Sequence, residues 1–256
     1  MIEGLLIDIK GVLYENKKPI EGAKSFISFA RRKKIQIRFL TNTTVKNKSD
    51  ILKDLVDFGF EVKDSEIITP AIAATLLLKQ RKIKKIYLAC KRSLFQDFSQ
   101  FQIVDKDPDV VILGDLGKDF NYSILNTIFQ KILNGSQLIA LHENRYSREG
   151  RSLVLDLGPF VKALEYASNK KADVVGKPAK NFFKMAITSM KVDIKNILMV
   201  GDDLDADIGG AQSLGIKAAQ VQTGKFTNND IKRKDIRSDY RIESIADLET
   251  LLLKLG

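Results

Sequence analysis

A single cysteine, Cys90, stands among the 256 residues. One thiol cannot form an internal disulfide, so the core alone must hold the fold, and the pattern fits a reducing cytoplasm. Histidine is equally scarce: His142 is the only one, and a lone histidine is more often a packing or surface residue than a catalyst. No apolar run approaches the roughly 18 residues of a membrane span. The opening Met1-Ile2-Glu3-Gly4 has no basic segment before the first apolar run, so no secretory leader is expected. Disorder is not indicated either, because 44% of the chain is hydrophobic and 29% charged, close to globular averages. That length supports one large domain or two small ones with a filled core.

What the chain has in excess is positive charge, a formal net charge of +10. The basic residues are scattered: Lys17-Lys18, Arg31 to Lys34, Lys79 to Lys85, Lys170-Lys171 and Lys232 to Lys234. Few aromatics interleave with them and no DNA- or RNA-binding motif accompanies them. They read as a lysine-rich solvated surface that also attracts anionic phosphate compounds, with Lys79 to Lys85 as a solvated hinge.

Short apolar runs alternate with amphipathic stretches. Strands are expected at Leu5-Leu6-Ile7 and Ile35 to Leu40, and helices at Gly22 to Arg32 and Lys48 to Phe58, each with apolar residues at helical spacing. Strand-type runs return at Lys85 to Cys90, Val110 to Leu113, Leu138 to Leu141, Ala172 to Val175, Ile197 to Val200 and Lys217 to Val221. Helices are expected at Tyr122 to Leu133, Pro159 to Ser168, Asn181 to Met190 and Ile242 to Leu255. Such alternation implies α/β architecture, a Rossmann-like parallel sheet with helices on both faces. Cys90, in a strand-type run, is expected to be a buried small hydrophobe.

Four segments carry candidate chemistry, each at the end of an expected strand, where open α/β sheets bind ligands. Asp8 follows Leu5-Leu6-Ile7 directly and precedes Gly11, which permits a tight turn. A carboxylate held that rigidly can act as nucleophile or metal ligand, or simply end a strand. Thr41-Asn42-Thr43-Thr44 supplies short neutral donors suited to phosphate oxygens, or an N-capping cluster. Lys177, in Gly176-Lys177-Pro178, offers an ammonium that can neutralise phosphate, or a surface turn. Asp202, Asp203, Asp205 and Asp207 put four acids within six residues after an apolar strand. That density is costly without a compensating cation, and carboxylate oxygens favour a hard ion such as Mg²⁺. A helix start favoured by the dipole accounts for Asp205 but not for Gly201-Asp202-Asp203 at a strand end.

In order and position, Asp8 with Gly11-Val12, Leu40-Thr41-Asn42, Gly176-Lys177-Pro178 and Gly201-Asp202-Asp203 resemble motifs I to IV of the haloacid dehalogenase superfamily. The resemblance runs nearly end to end and is closest to the subgroup with a C2-type α/β cap between motifs II and III. Arg38 to Thr44, Gly158 to Val161 and Val200 to Asp203 narrow it to the branch of phospholysine, phosphohistidine and inorganic pyrophosphate phosphatases. It implies a discontinuous core over residues 1–79 and 176–256 and an inserted cap over 80–175.

By the same resemblance Asp8 is the nucleophile that becomes an aspartyl-phosphate. Thr41, Asn42 and Lys177 bind the transferring phosphoryl group. Mg²⁺ is held by Asp8, Asp202 and the backbone carbonyl of Lys10, while Asp203 and Asp207, one layer behind, orient water or Lys177. In cap-bearing relatives a loop selects the substrate, so Arg145 is expected to contact a distal phosphate or, as a plain surface arginine, only solvent. A cap-mediated homodimer is suggested by analogy.

The chain departs from this pattern at Lys10. Phosphatases of the superfamily carry there an Asp that protonates the leaving group, a role contributing roughly 10²–10⁴-fold, and the branch named above carries Ser. Three consequences stay open at this level. Lys10 could donate a proton or bind phosphate, could swing aside in a slow enzyme suited to good leaving groups, or could exclude Mg²⁺ and leave a phosphate-binding, regulatory protein. The expected function is a Mg²⁺-dependent phosphatase acting on small substrates of pyrophosphate, acyl-phosphate or phosphoramidate type. The resemblance points away from dehalogenase and phosphonatase chemistry.

The scattered basic surface predicts no specific retention of nucleic acid. A gel-shift titration with duplex DNA and single-stranded RNA at low salt should show no discrete complex; a complex whose affinity falls steeply with added salt would overturn this reading.

Overall fold

The computed structural model describes residues 1–149 and 152–255. Two compact units emerge. The first comprises residues 1–41, 49–68 and 177–256; the second comprises 42–48 and 69–176.

The first unit is built on a six-stranded sheet in the order Tyr240–Ile242, Lys217–Val221, Ile197–Gly201, Gly4–Asp8, Gln36–Leu40, Ile67–Ile68, all parallel. Its two central strands, Gly4–Asp8 and Ile197–Gly201, are buried at every position, which is why they read as continuous apolar runs instead of alternating ones. On one face Leu5, Ile7, Phe39, Leu198 and Val200 pack with Phe26 and Ile27 of the helix Ala23–Arg32. Each such side chain contributes about 1.5–3 kcal/mol of burial. Arg31 and Arg32 close that helix, where cations complement its dipole. The chain leaves the first strand toward one edge, through Gln36–Leu40, and later returns to its other side through Ile197–Gly201. This reversal creates a crevice at the strands' carboxyl ends, the usual ligand position of such sheets.

The second unit carries a separate five-stranded parallel sheet in the order Asp173–Val174, Gln137–Ala140, Val110–Leu113, Lys85–Ala89, Gln102–Ile103. One face packs Ala71, Ala74 and Leu78 of the helix Pro70–Gln80 against Ile86, Ile112 and Ile139. The other packs Ile128 and Ile132 of Tyr122–Leu133 with Val161 and Leu164 of Leu157–Ser168. An antiparallel hairpin joins Tyr146–Glu149 to Ser152–Leu155. No helix among the described residues is long and apolar enough to cross a membrane.

Two expectations change. The helix Pro70–Gln80 is apolar nearly all round, so it shows no helical stripe, and burial of its alanines places it in the second unit. Lys79 to Lys85 is therefore not a hinge but a helix end and a strand start inside that unit. The second unit takes in 42–48 and 69–176. Finally, Ile242 to Leu255 is not one helix: Tyr240–Ile242 pairs with Lys217–Val221 as an edge strand, and the helix proper is Leu248–Leu255.

Cys90 is 7% exposed. Burial, with Asp97 adding to it, pushes its thiol up to about 12. Since the thiolate is the reactive form, labelling by a disulfide reagent at pH 8 should be roughly a hundredfold slower in the native protein than in denaturant. Full native labelling within minutes would show that Cys90 is open.

Candidate active site

The site in the first unit starts from the parallel register. Asp8 ends the central strand and pairs with Leu40, the residue before Thr41; on the other side Ile7 pairs with Val200, two positions before Asp202. Asp8, Thr41 and Asp202 are thus delivered to one edge of the sheet by adjacent strands, and all three are buried.

Lys177 lies among them, 2% exposed. Its ammonium donates to Asp8 Oδ1 and to Asp207 Oδ1 at 2.6 Å. Asp8, Asp202 and Asp207 each bring one carboxylate oxygen to within 4.8 Å of the others. Three carboxylates against one ammonium leave two negative charges in a dry setting, which is costly. The titration of the groups records that cost. Asp202 is raised well above the usual carboxylate range, by burial first and then by Asp8 and Asp207. Asp207 rises to about 7 because burial, with Asp8 and Asp203, outweighs Lys177. Burial alone would lower Lys177, yet Asp207 and Asp8 carry it upward. A hard divalent cation resolves such an excess, and a buried, all-carboxylate oxygen set is the donor chemistry it takes.

Behind this cluster a second pair of charges sets the carboxylates' orientation. Asp203 Oδ1 accepts from the backbone N–H groups of Asp205 at 3.1 Å and Ala206 at 2.9 Å. It thereby caps the wide helical turn Leu204–Gly209, a form frequent at functional sites. Its Oδ2 meets Lys225 Nζ at 2.9 Å. Burial would raise Asp203, but Lys225 and the Ala206 N–H hold it below the usual range. Asp207 Oδ2 accepts from the Asp203 N–H at 3.2 Å. Asp207 thus ties Lys177 to the acidic turn while bringing one oxygen near those of Asp8 and Asp202.

Lys225 was missed by sequence reasoning. Its N–H donates to Asp202 Oδ2 at 2.7 Å. The signal was present: Gly224-Lys225 follows the strand Lys217–Val221, the same strand-end position as the other four segments. Gly11 and Gly224 make room for Asp202. Both have left-handed backbones, φ 93° and 64°, and a Cβ on either would fall 2.2 or 2.0 Å from Asp202 Oδ2.

The remaining candidates are dispersed. Lys10 sits in the turn after Asp8, where the Gly11 N–H donates to Tyr14 O at 2.9 Å; its side chain is exposed. Asn42 groups with the second unit and donates from Nδ2 to Asn144 Oδ1 at 3.2 Å. Arg145, in the same unit, is exposed and lines a cavity of about 400 Å³ with Glu143, Tyr146, Leu155, Pro159 and Lys162. His142 is 2% exposed and engaged in polar contacts, so it is neither a surface residue nor plain apolar packing.

Comparison with known proteins gives a consistent picture. A family model described as haloacid dehalogenase-like hydrolase matches residues 5–103, and a second, HAD-hydrolase-like model matches 174–248. The chain is 37% identical to phospholysine phosphohistidine inorganic pyrophosphate phosphatase of Bos taurus, covering 99% of this chain and 95% of that protein. It is 38% identical to haloacid dehalogenase-like hydrolase domain-containing protein 2 of Bos taurus, covering 90% and 87%. Among solved structures, a 4-nitrophenylphosphatase from Thermotoga maritima superposes with a TM-score of 0.90 at 26% identity, covering 97% of each chain. A glycerol phosphate phosphatase from Mycobacterium tuberculosis, solved in complex with magnesium, gives 0.84 at 25% identity, covering 96% of this chain and 76% of that one.

Gly224→Ala tests the packing around Asp202. Strain at a left-handed position costs about 1–3 kcal/mol, and the added Cβ must displace the Asp202 carboxylate. The expected outcome is a lower Tm. A variant with the wild-type Tm would contradict this account of the turn.

Proposed function

Since this chain belongs to the haloacid dehalogenase-like hydrolase family, we propose that it is a Mg²⁺-dependent phosphatase working through an aspartyl-phosphate on Asp8. The carrying observation is the buried cluster in which Lys177 joins Asp8 to Asp207 while Asp202 stands within ion-sharing distance. A purely structural role would not assemble three carboxylates in a dry crevice at the sheet's switch point.

In this reading Asp8 attacks phosphorus with the oxygen that Lys177 does not hold. The bond from phosphorus to the leaving-group oxygen or nitrogen breaks, and the leaving group takes a proton. Water then attacks the aspartyl-phosphate, releases inorganic phosphate and restores the carboxylate. Lys177 balances the charge of Asp8 and of the arriving phosphoryl group, while Thr41 and Asn42 donate to its oxygens. Asp8, Asp202 and the Lys10 carbonyl would hold the Mg²⁺, with Asp203 and Asp207 behind them. The ion supplies charge neutralisation to a phosphoryl group spread over its oxygens.

Lys10 directs the substrate class. No carboxylic acid stands two residues after Asp8, so the substrates that suffer least are those whose leaving groups need little protonation. Pyrophosphate, acyl-phosphates and phosphoramidates fit that condition, and the name of the Bos taurus phosphatase relative points the same way. Arg145 is the cap-loop group available for a distal phosphate. The setting is cytoplasmic, the partners are small phosphorylated molecules, and a homodimer follows by analogy only.

Phosphate release from pyrophosphate, acetyl phosphate and an alkyl phosphate tests this. Wild type with Mg²⁺ should turn over the first two and lose activity in EDTA. Asp8→Asn should fall by roughly a thousandfold or more. Lys10→Asp should raise turnover of the alkyl phosphate by about 10²-fold or more while changing pyrophosphate far less. A silent wild type made active by Lys10→Asp would identify a phosphate-binding protein on a disabled enzyme instead.

A further inference from the structure

We propose that His142 is a positioning residue that, through Asn144, sets the orientation of the Asn42 amide. This rests on the reading of Asn42 as a phosphoryl-binding group. All the residues involved lie in the second unit.

His142 is the chain's only histidine and is 2% exposed. Its Nδ1 accepts the backbone N–H of Asn144 at 3.3 Å. An amide N–H can only donate, so Nδ1 is unprotonated and the neutral ring carries its proton on Nε2. Nε2 stands 3.4 Å from Thr44 Oγ1, which can receive that proton's hydrogen bond, and 3.7 Å from Asp156 Oδ1, a charged neighbour beyond hydrogen-bond reach. Neither neighbour is free to drift. Thr44 Oγ1 also receives the Asp115 N–H at 3.1 Å, and Asp156 Oδ1 receives the Leu157 N–H at 2.8 Å at the start of the helix Leu157–Ser168. The ring is therefore fixed at both nitrogens, and this fixes the loop residue Asn144.

The side chain of Asn144 passes the constraint on. Its Oδ1 accepts from Asn42 Nδ2 at 3.2 Å. The opposite end of the Asn42 amide lies against Gly176, where a Cβ would come within 2.7 Å of Asn42 Oδ1. Both ends of the amide are defined, and one of them depends on the loop that His142 pins. A buried histidine that only filled space would not need the Asn144 N–H or a chosen tautomer. Polar groups that orient a binding residue matter because small misplacements near the reacting group cost rate steeply.

The test compares His142→Leu, His142→Asn and Asn144→Ala with wild type, reading kcat and KM for pyrophosphate and the Asn42 side-chain NH₂ resonance by ¹⁵N NMR. The Asn substituent places an amide oxygen where Nδ1 stood. The expected result is a fall in kcat/KM on the order of tenfold for His142→Leu and Asn144→Ala. The loss in a variant combining His142→Leu with Asn144→Ala should not exceed the larger single one, and the Asn42 resonance should move in each. His142→Asn should restore both readouts. Wild-type values of the Asn42 resonance in Asn144→Ala, or no recovery in a folded His142→Asn, would overturn the proposal. If His142→Leu does not fold, Asn144→Ala and His142→Asn decide it. If the wild type itself releases no phosphate, the phosphatase reading fails, and the Asn42 resonance alone still judges the positioning role.

Discussion

A buried ammonium shared by two buried carboxylates is the constraint on which the rest of the first unit depends. Lys177 sits between Asp8 and Asp207 with almost no access to solvent. Removing one partner of such an arrangement leaves an uncompensated charge, typically costing 3–5 kcal/mol. The three residues come from distant parts of the chain: the end of the first strand, the start of the last third and the wide turn after Ile197–Gly201. The open parallel sheet, with its switch point at this edge, brings them together.

Asp202 imposes the next demand. It is buried beside two other carboxylates, and its support comes from Lys225, through the backbone N–H and the nearby positive charge. Gly11 and Gly224 carry left-handed backbones because anything with a side chain would occupy the space of the Asp202 oxygen. Asp203 forms a charge pair with Lys225 one layer out and caps the turn that carries Asp207. The layers are thus linked. The outer pair shapes the turn, the turn aims Asp207, and Asp207 holds Lys177 against Asp8.

The second unit solves a different problem, the placement of neutral donors. Asn42, Asn144 and His142 form a hydrogen-bonded chain anchored on Thr44, with the Asp156 carboxylate at the head of a helix standing near the ring. Few of these groups carry full charge, so their desolvation is cheaper than that of the acids and depends on geometry instead of ion pairing. Lys10, by contrast, is exposed, two residues beyond an inner cluster that already has the Lys177 ammonium.

By itself the sequence determined the parallel α/β class, the strand ends at Asp8, Thr41, Lys177 and Asp202, and the family. Those signals are local: a fully buried strand shows as an unbroken apolar run, and the polar residue directly after it must lie at the sheet's edge. The helix Pro70–Gln80 was illegible because its apolar residues have no single face, and the strand Tyr240–Ile242 because an edge strand of three residues resembles the start of the helix that follows. Which carboxylate Lys177 would pair with, that Lys225 would brace Asp202 and Asp203, and that His142 would be buried in a polar chain were decided only in three dimensions. Each depends on residues far apart in the sequence being packed where water is excluded, and burial, unlike local periodicity, is a property of the whole fold.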